Sequence, residues 1–419
     1  MKAKLITVGD EILIGQIVNT NAAFIGDRLF SIGIPLEKTV VIGDDESIML
    51  QEFEDSLKNY DVTIITGGLG PTHDDITKPA LVKFFNDELV TDEKVLAYVK
   101  NIFSSRNLPM PESNNGQALV PKNSKVIWNS NGTAPGIWIE RDNKVFIAMP
   151  GVPFEMKGMV ENEVLKMLRN KFSWSINTFL MQKTLQTTGL GESTLHEMIG
   201  DVNEIVGENK LAFLPSTAGV RLRINVKGNS EAEAKNKLKE IESKIREKIE
   251  TYIFGTNDDE LEKVIGNILA ERKQTLSVAE SCTGGRISSK IVSVPGSSRY
   301  YIGGACVYSN KEKFDLLNVS RETIEKYGAV SEQTAIEMAE GIRSLMETDY
   351  ALSTTGIAGP TGGTEEKPVG LVWIGFSSKE KKYALKFLFG NRRDINIERS
   401  SQRALEVLRR ELLKIEIKF

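Results

Sequence analysis

Histidine is almost absent from this sequence. Only two occur among 419 residues, His73 and His196, and both precede residue 200. Because serine and cysteine hydrolases usually rely on a neighbouring histidine as the base, a hydrolytic site in the last third of the chain would need a different one. Cysteine is equally scarce, and Cys282 and Cys306 form no disulfide framework or cysteine-based metal site.

Long apolar runs and a strong charge excess are absent as well. No apolar run approaches the roughly 18 residues that a membrane span requires, and the N-terminus has no long apolar region for secretion. The formal net charge of −4 at pH 7 gives no reason to expect a nucleic-acid or membrane partner. A reduced cytoplasm is therefore the expected compartment.

The order of the predicted elements indicates three domains. Residues 1–172 and 257–419 alternate short apolar strands with helices, which favours parallel sheets with crossover helices. Residues 173–256 contain a helix-like stretch, TFLMQKTLQTTGLGES, then an alternating strand and a charged helix. We therefore predict two three-layer α/β domains with mainly parallel sheets, joined by a small α+β domain.

Three polar turns in the first domain follow predicted strands, at residues 9–11, 67–78 and 150–153. In open parallel sheets, ligands bind in the crevice beyond the carboxyl ends of the strands. The first turn supplies Asp10 and Glu11 as candidate substrate-binding side chains. Each turn taken alone can be purely structural, but three in one fold favour a nucleotide-type site.

The turn at 67–78 combines glycines with adjacent carboxylates. Gly67 and Gly68 carry no Cβ, so their backbone N–H groups can closely approach a phosphate. Asp74 and Asp75 would place two hard oxygen ligands beside that phosphate, which suits Mg²⁺ or a similar divalent ion. The same aspartates could instead only cap the following helix. His73 could be a ligand, a proton carrier or neither.

The stretch AESCTGGR at 279–286 allows three chemistries: a serine nucleophile, a cysteine nucleophile or a phosphate-holding glycine loop. Without a histidine in the last domain, the base would be a carboxylate, a lysine or a tyrosine. A lysine can serve when burial or a nearby cation lowers its pKa toward neutrality. The segment YSNKEK supplies Tyr308, Lys311 and Lys313, and spacing alone does not choose between the two lysines.

Two further polar turns would complete a pocket in the last domain. Residues 354–360 offer backbone N–H groups for an oxyanion or phosphate, and residues 390–393 offer guanidinium groups for a phosphate or carboxylate. Cys282 is expected to be a small buried residue, because no histidine is near to make a thiolate. The substrate-binding candidates of this domain are Thr283, Gly284, Gly285, Thr355, Gly356 and Arg392.

These motifs resemble those of a known family. GDEILIG with NTN, TGGLGPTHDDITKPAL and MPGVPFEM look like the MoaB-type, molybdopterin-binding domain that opens proteins of the competence/damage-inducible CinA family. AESCTGG, VYSNKEK, GAVSE, TGIAGPTGGTEEKPVG and the GNR turn look like the PncC-type amidase domain of the same family. The middle segment looks like its KH-type domain, so the resemblance covers essentially the whole chain.

The PncC-type resemblance implies a Ser/Lys amidase that converts nicotinamide mononucleotide into nicotinate mononucleotide and ammonia, with no cofactor. It places the nucleophile on Ser281, the lysine on Lys313, an assisting tyrosine on Tyr308 and the anion-binding arginine on Arg392. Asn391 stands where close relatives often carry aspartate, so no role is carried over to that side chain.

The MoaB-type resemblance implies an ADP-ribose pyrophosphatase that uses a divalent metal ion such as Mg, Mn or Co, and the family suggests a homodimer. Two alternatives stay open. The first domain could be a molybdopterin-binding or adenylyl-transferring module, or the chain could be a non-catalytic competence or DNA-damage adaptor. RNA-binding KH modules clamp the backbone with a GXXG loop. The glycine cluster at 189–193 has no basic patch beside it, which favours a structural spacer.

Overall fold

A computed structural model describes residues 1–72, 75–172 and 179–417 of the chain. His73 and Asp74 therefore lie outside the described residues. The chain divides into two compact units, residues 1–181 with 226–237 and residues 182–225 with 238–419. Within the described residues, no helix is long and apolar enough to cross a membrane.

The first unit is built around a sheet whose central strands are apolar on both faces. The segments AKLITV, VTIIT and KVFIAM are buried at nearly every position, which is typical of parallel strands covered on both sides. The strands of the first unit are, in chain order, β1 (Ala3–Val8), β2 (Leu36–Ile42), β3 (Val62–Thr66), β4 (Leu89–Thr91), β5 (Leu119–Pro121), β6 (Lys125–Ile127), β7 (Gly136–Arg141) and β8 (Lys144–Met149).

The strand order of this sheet is β2-β1-β3-β8-β7-β6, with parallel pairs from β2 to β8 and antiparallel pairs from β8 to β6. Strands β4 and β5 form a separate antiparallel pair. The carboxyl ends of β1, β3 and β8 therefore meet at one edge. The helices are α1 (Asp10–Leu13), α2 (Thr20–Ser31), α3 (Glu46–Asn59), α4 (Thr77–Phe85), α5 (Glu93–Ser105), α6 (Pro153–Met159) and α7 (Leu165–Phe172).

Helices cover both faces of this sheet, because successive strand residues point to opposite sides. Leu5 joins one apolar cluster with side chains of α2, α6 and α7, while its neighbour Ile6 joins a second cluster with side chains of α3 and α4. This arrangement is the predicted three-layer α/β architecture. Helix α4 begins at Thr77, and Ile76 takes the N-cap position.

The remaining strands are β9 (Phe179–Thr187), β10 (Lys210–Pro215), β11 (Val220–Gly228), β12 (Ile253–Thr256), β13 (Leu276–Glu280), β14 (Tyr301–Cys306), β15 (Tyr350–Gly356), β16 (Leu371–Ser377) and β17 (Lys382–Leu388). The middle segment contains a four-stranded sheet in the order β10-β11-β9-β12, and the last segment contains a five-stranded sheet in the order β14-β13-β15-β16-β17. In the five-stranded sheet β14, β13 and β15 pair in parallel, whereas β16 and β17 add antiparallel strands at one edge.

The helix predicted from TFLMQKTLQTTGLGES is wrong for most of its length. Residues 179–187 form β9, which pairs with β12 more than sixty residues later, and that distant pairing is invisible to a local pattern. A helix begins only at Glu192. The helices are α8 (Glu192–Ile199), α9 (Val202–Val206), α10 (Glu231–Ile249), α11 (Leu261–Arg272), α12 (Arg286–Val292), α13 (Asn310–Leu317), α14 (Arg321–Tyr327), α15 (Glu332–Leu345) and α16 (Arg393–Leu413).

Candidate active sites

Ser281 lies in the turn that follows β13, at the carboxyl end of the parallel strands. Its backbone N–H donates to the carbonyl oxygen of Thr354 at 3.0 Å, which extends the pairing of β13 with β15 by one residue. The residue is only 8% exposed. Its hydroxyl is thus held in a fixed place at the edge where such sheets bind ligands.

Lys313 brings its amine to this serine. The Nζ atom lies 3.2 Å from Ser281 Oγ and donates to the carbonyl oxygen of Val307 at 2.8 Å. The side chain is 2% exposed, and this burial lowers the pKa of Lys313 below its usual value. Lys311, the rival at the sequence level, is exposed and pairs with Asp315 at 2.7 Å. Of the two lysines, the structure brings only Lys313 to the nucleophile.

Glu280 fixes the turn that carries Ser281, and sequence reasoning missed it. This carboxylate is buried, and it accepts hydrogen bonds from the backbone N–H groups of Ile287 at 3.0 Å and Ser288 at 2.8 Å. It also accepts from the Ser288 hydroxyl at 2.7 Å. The end of β13 is thereby tied to the first turn of α12. The sequence signal for Glu280 is an acidic residue at the end of a buried strand, immediately before a glycine turn.

The two glycines of this turn adopt backbone conformations that other residues rarely tolerate. Gly284 has a φ of +60° and Gly285 a φ of +92°, and a Cβ at either would meet no atom within 4 Å. The space above the turn is therefore open. In the described chain, the backbone N–H groups of Thr283 and Gly285 donate to no protein acceptor, so they are available to an anionic oxygen beside Ser281.

Cys282 is unsuited to be the nucleophile. It is buried, and that burial raises the pKa of its thiol to about 12. A thiol with such a pKa supplies almost no thiolate at neutral pH. The expectation of a small buried residue agrees with this placement.

The two arginines of the 390–393 turn have different surroundings. Arg393, rather than Arg392, contacts the site: it donates to the hydroxyl of Tyr308 at 3.2 Å and to the carbonyl oxygen of Gly359 at 3.2 Å. Arg392 is exposed and pairs with Asp394 at 2.6 Å. Tyr308 is 64% exposed, so its ring lies at the rim of the site. The family resemblance selected Arg392, and the local pattern alone does not distinguish the two adjacent arginines.

Thr355 and Gly356 serve the fold. The Thr355 hydroxyl is buried and donates to the carbonyl oxygen of Ala329 at 2.6 Å. A Cβ on Gly356 would lie 2.6 Å from the carbonyl oxygen of Leu371, so this glycine permits close packing against β16. The Thr355 hydroxyl is therefore engaged within the protein.

A second site lies at the sheet edge of the first unit, where a cavity of about 520 Å³ opens at the ends of β1, β3 and β8. The three predicted turns meet there. Gly67 and Gly68 line it, and both require glycine, because a Cβ would lie 2.2 Å from Val8 O and 2.3 Å from Thr77 Oγ1 respectively. Glu11 also lines this cavity, whereas Asp10 lies against Gly43 and is not part of the lining.

Three buried polar atoms of this cavity have no partner among the described residues. They are Asn21 Oδ1, Thr66 Oγ1 and Gln117 Oε1, and all three residues line the cavity. Buried polar atoms are nearly always hydrogen-bonded in folded proteins. A group of unpaired oxygens in the lining of one cavity therefore indicates a surface that a polar ligand completes. Sequence reasoning missed Asn21 and Gln117, although NTN stood among the quoted motifs.

The predicted metal ligands are only partly described. Asp74 lies outside the described residues, and Asp75 accepts hydrogen bonds from the N–H groups of Gly70 at 2.7 Å and Thr72 at 2.9 Å. It therefore holds the loop while also lining the cavity. Within the described residues, no group of three or more histidine, cysteine, aspartate or glutamate side chains could hold a metal ion.

Lys78 is a buried cation next to this loop that sequence reasoning missed. It is 8% exposed and donates to the carbonyl oxygen of Gly116 at 3.0 Å. Burial lowers the pKa of Lys78 to about 8, an effect that the charge of Asp75 partly opposes. Lys78 follows Thr77 at the start of α4, and the sequence alone indicates an exposed residue in the first helical turn.

Family models match the chain in three consecutive stretches. These are described as "Probable molybdopterin binding domain" for residues 4–170, "Damage-inducible protein CinA KH domain" for residues 182–255 and "CinA C-terminal domain" for residues 258–412. A Clostridium botulinum protein provisionally named a competence-damage inducible protein is 44% identical over 412 residues, which is 98% of this chain and 100% of that protein. This chain belongs to the CinA family.

A second full-length relative agrees with this assignment, and one solved structure is similar over part of the chain. A "CinA-like protein" from Flavobacterium psychrophilum is 44% identical and covers 99% of both chains. The solved structure of competence/damage inducible protein CihA from Agrobacterium tumefaciens is 36% identical, with a TM-score of 0.36, and covers 36% of this chain and 93% of that one. The family predicted from the sequence motifs is confirmed.

Proposed function

We propose that this CinA protein is an amidohydrolase of nicotinamide mononucleotide whose nucleophile is Ser281 and whose base is Lys313. The supporting observation is the distance of 3.2 Å between Lys313 Nζ and Ser281 Oγ in a buried site. Because no histidine occurs after residue 200, we assign the role of base to this amine, which lies within hydrogen-bonding distance of the serine hydroxyl.

The buried lysine can act as a base because its neutral fraction is larger than that of an exposed lysine. Lys313 takes the hydroxyl proton while Ser281 Oγ forms a bond to the carboxamide carbon. The carbon–nitrogen bond then breaks, the proton passes to the departing nitrogen, and ammonia leaves. Water hydrolyses the resulting ester, which gives nicotinate mononucleotide and restores the serine.

Charged and polar groups around the serine suit the remainder of the substrate. The N–H groups of Thr283 and Gly285 are available for the negative oxygen that forms on the attacked carbon. Arg393 lies at the rim, against Tyr308, where a guanidinium can bind the phosphate of the mononucleotide. In this proposal Arg393 takes the part that the resemblance gave to Arg392.

Ammonia release from nicotinamide mononucleotide tests the assignment. Ser281→Ala and Lys313→Met should each lower kcat by at least about a hundredfold, whereas Cys282→Ser, the adjacent control, should change it only a few-fold. If activity survives Ser281→Ala but is lost with Cys282→Ser, the serine mechanism is wrong.

For the first unit we infer a metal-dependent cleavage of the diphosphate of ADP-ribose. The turn after β3 lines the cavity and can hold a phosphate there, and the unpaired oxygens of Asn21, Thr66 and Gln117 can accept hydrogen bonds from ribose hydroxyls or base amines. The same cavity therefore offers complementary surfaces for the anionic and the neutral parts of a nucleotide.

The donor set fits a divalent ion that enters with the diphosphate. Glu11 and Asp75 line the cavity as separate carboxylates, and Mg²⁺ commonly binds through one or two carboxylates together with substrate phosphates. Such an ion would neutralise charge on the diphosphate. The residues of this chain would hold the ligand: the glycine turn binds phosphate, and the buried oxygens fix the orientation of the nucleoside.

Mass spectrometry of the full chain with both substrates, with and without a chelator, separates the two activities. We expect the chelator to abolish ADP-ribose cleavage and to leave release of ammonia unchanged. Copurifying molybdopterin, together with no turnover of ADP-ribose, would favour a pterin-binding module, as the name of the matching family model suggests.

A further inference from the structure

The side-chain amide of Asn21 has a fixed orientation in the cavity of the first unit. Asn21 lies in the first turn of α2, is 8% exposed, and donates through Nδ2 to the carbonyl oxygen of Gly151 at 2.6 Å. A carbonyl oxygen only accepts hydrogen bonds, so the amide nitrogen of Asn21 has to face it. The amide oxygen is therefore the atom left for another partner, and it has none among the described residues.

Two further unpaired oxygens belong to the lining of the same cavity. Thr66 ends β3, and Gln117 lies between α5 and β5. Each residue is 1% exposed, and neither Thr66 Oγ1 nor Gln117 Oε1 has a partner among the described residues. An amide oxygen accepts hydrogen bonds and does not donate them. The missing partners of the two amide oxygens are therefore hydrogen-bond donors and not phosphate oxygens.

The oxygens of Asn21 and Thr66 lie beside the turn after β3. Thr66 directly precedes Gly67, the first residue of that turn. A Cβ on Gly151 would lie 3.4 Å from the Cα atom of Gly67, so the carbonyl that holds Asn21 belongs to a residue packed against the same turn. A donor that reaches these oxygens therefore belongs to a part of the ligand close to the phosphate.

Gln117 is tied to this turn through Lys78. The N–H of Thr77 donates to the carbonyl oxygen of Gly68 at 3.1 Å, which fixes the start of α4 to the turn. The next residue, Lys78, donates through Nζ to the carbonyl oxygen of Gly116 at 3.0 Å. Gln117 follows Gly116, so its backbone is held near the turn by a buried cation.

The exposed part of the lining is apolar. Val18 is 83% exposed, Ile17 is 49% exposed and Val152 is 42% exposed, and all three residues line the cavity. Their side chains offer apolar contact but no hydrogen-bonding group. Such a rim suits the flat face of a base and does not distinguish one base from another by its polar substituents.

We propose that Asn21 determines specificity for the sugar by accepting a hydrogen bond from a ribose hydroxyl of the bound nucleotide. This inference rests on the nucleotide cavity proposed for the first unit. Ribose hydroxyls are only a few bonds from the 5′-phosphate, whereas the amine of adenine lies at the far edge of the base. A phosphate in the turn after β3 therefore brings a hydroxyl to the oxygens beside that turn and the base to the apolar rim. The cavity selects ribonucleotides over deoxyribonucleotides and tolerates a change of base.

Calorimetric titration of the full chain with AMP and three analogues, with magnesium and with a chelator, tests the proposal. The analogues 2′-deoxy-AMP and 3′-deoxy-AMP each lack one ribose hydroxyl, and inosine monophosphate lacks the amine of the base. We expect at least one deoxy analogue to bind about tenfold more weakly than AMP, because a buried acceptor stays unpaired. Inosine monophosphate should bind as tightly as AMP. Hydrogen–deuterium exchange with AMP locates the ligand, and we expect slower exchange in residues 66–70.

Asn21→Leu removes the acceptor and should bind AMP and the weaker deoxy analogue with equal affinity. Asn101→Leu, which changes an exposed asparagine of α5, should keep the tenfold difference. If Asn21→Leu does not fold, the comparison of the four ligands on the wild type decides the question.

Four results would overturn the proposal: equal binding of AMP and both deoxy analogues, weaker binding of inosine monophosphate, a difference that persists in Asn21→Leu, or no slower exchange in residues 66–70. Loss of the difference in the presence of the chelator would also overturn it, because the oxygens would then hold a metal ion. Cleavage of ADP-ribose together with any of these results would leave the proposed activity in place. Discrimination against a deoxy analogue without cleavage of ADP-ribose would refute the activity alone.

Discussion

Replacing Lys78 by methionine should stabilise the protein at neutral pH and destabilise it at alkaline pH. Burial lowers the pKa of this lysine from 10.5 to about 8, and at 1.36 kcal/mol per unit the charged form costs the folded state about 3 kcal/mol. Below pH 8 the wild type carries this full cost. As pH rises from 8 to 10.5 the unfolded state binds more protons than the folded one, so stability rises until the cost disappears.

Methionine removes both the charge and the hydrogen bond to Gly116 O, and the lost bond costs about 1 kcal/mol. Lys78→Met should therefore be more stable than the wild type by about 2 kcal/mol at pH 7 and less stable by about 1 kcal/mol near pH 10.5. Urea unfolding of both proteins across this pH range, monitored by circular dichroism, gives the difference between their free energies of unfolding. Titrations of groups that the two proteins share cancel in this difference. A difference that does not change with pH would refute the assignment of a buried, titrating amine.

Other consequences concern both candidate sites. The activity on nicotinamide mononucleotide should rise with pH through an apparent pKa below 10.5, because burial lowers the pKa of Lys313, and Lys313→Arg should be inactive at every pH. Glu280→Gln should lower kcat about tenfold with little change in KM, because two backbone N–H groups of α12 lose their charged acceptor. Gly68→Ala should destabilise the first unit by about 2 kcal/mol and abolish ADP-ribose binding, since a Cβ would lie 2.3 Å from Thr77 Oγ1. Gly15→Ala, where φ is +73° and the space is open, measures the cost of backbone strain alone.

The choice between Lys311 and Lys313 could be predicted from the local sequence pattern. Ser309 caps α13, with its side chain accepting from the N–H of Glu312, and the sequence Ser-x-x-Glu is a helix-start signal. Residues four apart share a helix face, so Lys313 lies on the same face as the buried Leu317, while Lys311 points to solvent. Once the start of α13 is known, helical periodicity therefore predicts that Lys313, and not Lys311, is the buried lysine available to the serine.

Other parts of the sites depend on contacts between segments far apart in the chain. Arg393 meets Tyr308 across 85 residues, and no spacing rule selects it over its neighbour Arg392. The strand β9 pairs with β12 in spite of a helix-like local pattern. Asn21 and Gln117 line one cavity from separate elements, so the composition of that lining becomes visible only in the folded chain.

The glycine cluster at 189–193 depends on distant segments in the same way. It has no basic residues beside it in sequence, which argued for a spacer. In the fold, a Cβ on Gly189 would lie 3.6 Å from the guanidinium of Arg403, more than two hundred residues further along the chain. A charge that a distant helix places beside a glycine turn cannot be assigned to that turn from sequence, because no local pattern records the contact.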